Sequence, residues 1–154
     1  MKCCSFTVLF LSPPFSQIPT NPSPPPTDAT GPPTAPVAIF LIYDIFGFSP
    51  QVLQGADILA HAHPNDGKHQ YRVFVPDFFY GKPLPHSTFP PDTDEKKKAM
   101  GDFFAGPAEV GATSGKVGGL IKKIGGMEEG KGVEKWGGLG MCWGGKVCVP
   151  IYFF

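Results

Sequence analysis

Val37-Ala38-Ile39-Phe40-Leu41-Ile42-Tyr43 is apolar at every position. A strand with one face in solvent alternates apolar and polar residues, whereas a strand covered on both faces does not. The stretch therefore predicts a buried strand of a parallel sheet, and with it an α/β fold. Asp44-Ile45-Phe46-Gly47-Phe48 then reads as an exit loop, and Ser49 as the cap of a helix with Pro50 at its first position. Val52, Leu53, Ala56, Leu59 and Ala60 follow at helical spacing, and Pro64-Asn65-Asp66-Gly67 closes the unit as a polar turn.

Further along, Tyr71-Arg72-Val73-Phe74-Val75 predicts a second strand, stopped by Pro76 and followed by a proline-rich loop from Asp77 to Pro91. Asp94 is expected to cap a helix through Phe104. A further helix is expected from Ser114 to Ile124, weakened by Gly118-Gly119. Residues 134–139 predict a third strand that leads to Cys142. Strand and helix alternate, so a mostly parallel sheet flanked by helices is expected. Ligands of such sheets sit beyond the carboxyl ends of the strands, where Asp44-Ile45 and Cys142-Trp143 would meet.

Upstream of Val37 the composition changes. Pro13-Pro14, Pro24-Pro25-Pro26 and Pro32-Pro33 predict a proline-rich leader over 1–36, extended or disordered, ahead of a folded domain over 37–154. No Lys or Arg lies between Lys2 and Lys68, so the tract lacks the basic anchor of a groove-binding proline ligand. The chain has 154 residues, room for one domain, and its formal net charge is zero. That balance argues against a nucleic-acid partner or an anionic membrane surface. No stretch is long enough to span a bilayer. Asp92-Thr93-Asp94-Glu95-Lys96-Lys97-Lys98 mixes signs at helical spacing and reads as a solvated face. Cys3, Cys4, Cys142 and Cys148 make no disulfide framework, so a reduced, cytoplasmic setting is expected despite the short apolar run Phe6 to Leu11.

Gly140-Met141-Cys142-Trp143-Gly144-Gly145 has the form of a nucleophile elbow, in which a sharp strand-to-helix turn holds one side chain exposed. A thiol there could be activated by the helix start, with the Trp143 and Ile45 amides as donors to an oxyanion. A small cysteine buried in a glycine-rich turn is the other reading. Asp44 could modulate the thiol or cap local amides, and Asp77 carries the same ambiguity. His61, His63, His69 and His86 all precede Cys142, and none has ligand-spaced partners, so no metal or cofactor is expected.

The elbow resembles that of the dienelactone hydrolase family, α/β-hydrolases with a cysteine nucleophile. Tyr43-Asp44-Ile45-Phe46-Gly47, Val75-Pro76-Asp77-Phe78-Phe79-Tyr80-Gly81-Lys82-Pro83, Pro90-Pro91-Asp92-Thr93 and Phe103-Phe104-Ala105-Gly106-Pro107 are similar to fungal-type members. The resemblance implies an α/β-hydrolase sheet and hydrolysis of a small-molecule ester or lactone. Cys142 would be the nucleophile, Trp143 and Ile45 the oxyanion hole, and Asp44 would stand where the family has Glu. It also implies a later Asp and His, and no Asp, Glu or His follows Cys142. The expectation is therefore a truncated member of weak or no activity, with an unpaired edge at the Cys142 strand. The alternative is a non-catalytic fragment that folds or acts only with a partner.

Overall fold

The computed structural model describes residues 8–11, 25, 27–61 and 70–149. The expected turn at Pro64 to Gly67, together with His63, His69, Cys3 and Cys4, lies outside them.

The architecture is α/β. Among the described residues the strands are β1 (Val8–Leu11), β2 (Thr27–Thr30), β3 (Val37–Ile42), β4 (Tyr71–Pro76) and β5 (Lys135–Gly140). The helices are α1 (Pro50–His61), α2 (Asp94–Ala105), α3 (Val110–Gly125) and α4 (Trp143–Cys148). The sheet order is β1-β5-β3-β4-β2. β3 runs parallel to both β4 and β5, while β1 and β2 run antiparallel to the outer neighbours they pair with. The sheet is thus mixed, with its parallel part confined to the three central strands.

β3 is central because its sequence permits nothing else. Ala38, Phe40, Leu41 and Ile42 are almost wholly removed from solvent, and a polar residue among them would be buried without a partner. On β4, Val73, Phe74 and Val75 are buried as well. α1 buries Val52, Ala56 and Ala60 and lies against β4 and β2. α4 lies against β5 and β3, and α3 against α4.

Ser49 does cap α1, its hydroxyl accepting the Val52 amide at 3.4 Å. Two helix starts differ from expectation. Thr93, not Asp94, caps α2 by accepting the Lys96 amide, which frees Asp94 and Glu95 to sit in the first turn beside the helix dipole. α3 starts at Val110, because the Glu109 carboxylate accepts the amides of Gly111 and Ala112. That cap holds a first turn in which Val110, Gly111 and Thr113 are weak helix formers.

Two strands also fall in the leader expected to be extended or disordered. Thr27–Thr30 contains no proline and needs only backbone hydrogen bonds to pair with β4. Val8–Leu11 pairs with β5, so the Cys142 strand is not the open edge expected of it. The charge run behaves as read. Lys96–Asp92, Lys97–Asp94 and Lys98–Asp102 pair at 2.8, 3.0 and 2.6 Å on an exposed surface, where such pairs add little stability.

Candidate functional site

The carboxyl ends of β3 and β5 are adjacent in register, Ile42 opposite Gly140. Asp44 and Cys142 each stand two residues beyond that rung. The turn between β5 and α4 is built on close backbone approach. The Met141 amide donates to the Ile42 carbonyl at 2.9 Å, and the Gly144 amide to the Met141 carbonyl at 2.8 Å. A Cβ on Gly144 would stand 2.1 Å from the Ile42 carbonyl oxygen, and one on Gly140 would stand 2.3 Å from the Gly144 oxygen. Neither position can hold any other residue without moving backbone. Cys142 takes φ 52° and ψ −108°, a left-handed conformation that few non-glycine residues adopt. Its side chain is exposed.

The neighbouring residues are arranged as follows. Trp143 is 2% exposed. Its indole donates to the Ala108 carbonyl at 2.8 Å, and its ring packs against Tyr43, Phe78 and Phe79. Trp143 thus ties the start of α4 to the α2–α3 connection and to the loop after β4. Ile45 is buried, and its carbonyl accepts the Leu84 amide at 3.0 Å. The Asp44 carboxylate accepts the Phe46 amide at 2.8 Å, and its carbonyl accepts the Gly47 amide, the local capping arrangement of an aspartate turn. His86 stacks on Phe46 with centroids 4.2 Å apart. Among the described residues no three His, Cys, Asp or Glu side chains gather as a metal would need.

The most tightly held polar group at this end of the sheet is one the sequence left ambiguous. Asp77 is 7% exposed. Its Oδ1 accepts the Tyr43 hydroxyl at 2.8 Å and the Phe79 amide at 3.2 Å, and its Oδ2 accepts the Gly81 amide at 2.7 Å. The Tyr43 hydroxyl in turn accepts the Phe79 amide at 2.9 Å. Burial first, then the hydrogen bond to Asp77, pushes the Tyr43 phenol well above its ordinary value. This network clamps the loop after β4 to the end of β3. It joins residues 34 apart in the chain, so no local pattern announces it. Cys148, on the last turn of α4, is buried, and burial pushes its thiol up to about 11.

The chain is 39% identical over 106 residues to an uncharacterized AIM2 family protein of Schizosaccharomyces pombe, an alignment covering 69% of this chain and 39% of the relative. A second uncharacterized AIM2 family protein of the same yeast is 31% identical over 123 residues, 78% of this chain and 44% of the relative. The chain thus spans about two fifths of the length of the curated relatives it matches. No family model matches the chain, and no solved structure matches it.

These findings correct the dienelactone hydrolase assignment, and with it the ester or lactone hydrolase activity and the enzyme class. The relatives carry a different family name that states no activity, and no family model or solved structure supports the hydrolase. The physical reason lies in the glycines. A Cβ at Gly140 or Gly144 would stand 2.1–2.3 Å from a backbone oxygen, so the glycine spacing records how tightly the turn and α4 pack and is no proof of acyl transfer. As to membranes, no helix among the described residues is long and apolar enough to cross one.

Proposed function

We propose that this chain belongs to the AIM2 family and serves as a non-catalytic α/β module that acts through a partner, in the first instance another copy of itself. The similarity to two AIM2 family proteins carries the family reading. The partner reading is supported by large apolar side chains left in solvent. Phe48 and Phe89, on the loops beyond β3 and β4, and Phe104 on α2 are 36, 50 and 40% exposed. Aromatic side chains are enriched at protein–protein contact surfaces, where a second copy would cover them. The strand–turn–helix at Cys142 supports a finer fold reading as an α/β-hydrolase-type sheet, used here without hydrolysis. Cys142, with Trp143, Ile45 and Asp44 around it, is proposed as an accessible thiol position at the sheet end. A reducing, cytoplasmic setting belongs to the same proposal, on the cysteine spacing alone.

Sedimentation velocity over a wide protein concentration range tests the reading. Association that weakens in a Phe48→Ser/Phe104→Ser variant of unchanged circular dichroism is the expected result. A strictly monomeric chain, or steady-state ester turnover abolished by Cys142→Ala, contradicts it.

A further inference from the structure

A cavity of about 360 Å³ opens between the loop after β4 and the start of α3. Phe78, Phe79, Tyr80 and Pro107 give it apolar walls, and Lys82 and Lys116 bring two positive charges to it. No carboxylate lines it. Neither lysine has an ion pair or hydrogen-bonded side-chain partner among the described residues, in contrast to Lys96, Lys97 and Lys98 on α2, which are all paired. The amides at the start of α3 are already taken by the Glu109 carboxylate, so charge recognition here falls to the lysines.

The loop itself is held in a costly shape. Tyr80 has φ 51° and is followed by Gly81 at φ 73°. A non-glycine residue in the left-handed region costs about 1 kcal/mol or more and persists only where its surroundings enforce it. Asp77 enforces it here, through the Phe79 and Gly81 amides on either side of Tyr80. The result is a Tyr80 ring held 60% exposed at the cavity.

We propose that this cavity binds a small phosphate monoester with an apolar or aromatic body. Two ammonium groups match the charge of about −1.5 to −2 that a phosphate monoester carries at neutral pH. Lysine serves as a point-charge phosphate binder. The aromatic walls suit the body of the ligand.

The test is titration calorimetry of the whole chain with 1-naphthyl phosphate, 1-naphthol and inorganic phosphate as probes. Saturable, salt-weakened binding of 1-naphthyl phosphate is expected, with each of the other two at least about tenfold weaker. Lys82→Gln/Lys116→Gln is expected to weaken naphthyl phosphate by about tenfold or more, with Lys97→Gln on α2 leaving it unchanged. Both variants alter exposed side chains, and thermal melting confirms that they fold. No saturable binding, equal binding of 1-naphthol, equal binding of inorganic phosphate, or an unaffected double variant would each overturn the proposal.

Discussion

The Tyr43 hydroxyl donates to Asp77 Oδ1 at 2.8 Å inside the protein and joins the end of β3 to the loop after β4. Two backbone amides complete the carboxylate's partners, those of Phe79 and Gly81. A buried carboxylate is tolerated only when so satisfied.

Removing one member of that network strands the rest. Tyr43→Phe is expected to cost about 1–3 kcal/mol of unfolding free energy, the penalty for a buried acceptor left short of a donor. Asp77→Ala is expected to cost about as much or more, since the Tyr43 hydroxyl and two amides lose their acceptor together. Urea unfolding checks both, and a change below about 0.5 kcal/mol in either would contradict the network's role.

The same pair sets an alkaline limit. An unfolded tyrosine ionises near pH 10, as usual for a phenol, whereas burial and Asp77 hold the folded Tyr43 phenol well above that. Above about pH 10 the folded state therefore binds more protons than the unfolded one, and stability falls as pH rises. The contribution is present in full below the unfolded value. Tyr43→Phe should flatten this alkaline decline, measured as thermal midpoint against pH. An equally steep decline in the variant would assign it to other groups.

Glycine positions separate backbone approach from mere flexibility. Gly144→Ala places a Cβ 2.1 Å from the Ile42 carbonyl oxygen and is expected to cost about 3 kcal/mol or more, or to prevent folding. Gly101 in α2 meets nothing within 4 Å, so Gly101→Ala is expected to stabilise by about 0.5–1 kcal/mol. The urea midpoints of the two variants should move in opposite directions. A neutral Gly144→Ala would mean that the turn is looser than described.

The two cysteines of the elbow segment should differ sharply in alkylation. Cys142 is exposed, and Cys148 is buried with its thiol pushed up to about 11. Only the thiolate reacts, so iodoacetamide at pH 8 should modify Cys142 and spare Cys148 until the chain unfolds. Peptide mass spectrometry reads this directly, and comparable rates would contradict the burial of Cys148.

The parts of the fold legible in the sequence had local causes. β3 is apolar at every position, and Ser49-Pro50 opens α1 by cap and fixed φ. β2 was illegible because Thr27-Asp28-Ala29-Thr30 is short and polar, and its pairing uses backbone groups that any sequence carries. The start of α3 ahead of Ser114 is hard to see in the sequence, because Val110, Gly111 and Thr113 are weak helix formers and the Glu109 side chain supplies the cap. At the site, the exposed Cys142 on its sharp turn was visible in the glycine spacing. The chemistry inferred from that spacing was not, since the same glycines are demanded by packing. The Tyr43–Asp77 contact had no local signature at all.

The most direct measurement of the central claim is equilibrium urea unfolding of the chain at protein concentrations spanning about a hundredfold. If the module acts through another copy of itself, the midpoint rises with concentration, because association stabilises the folded state by mass action. A midpoint that stays fixed over that range would contradict self-association as the way this protein works.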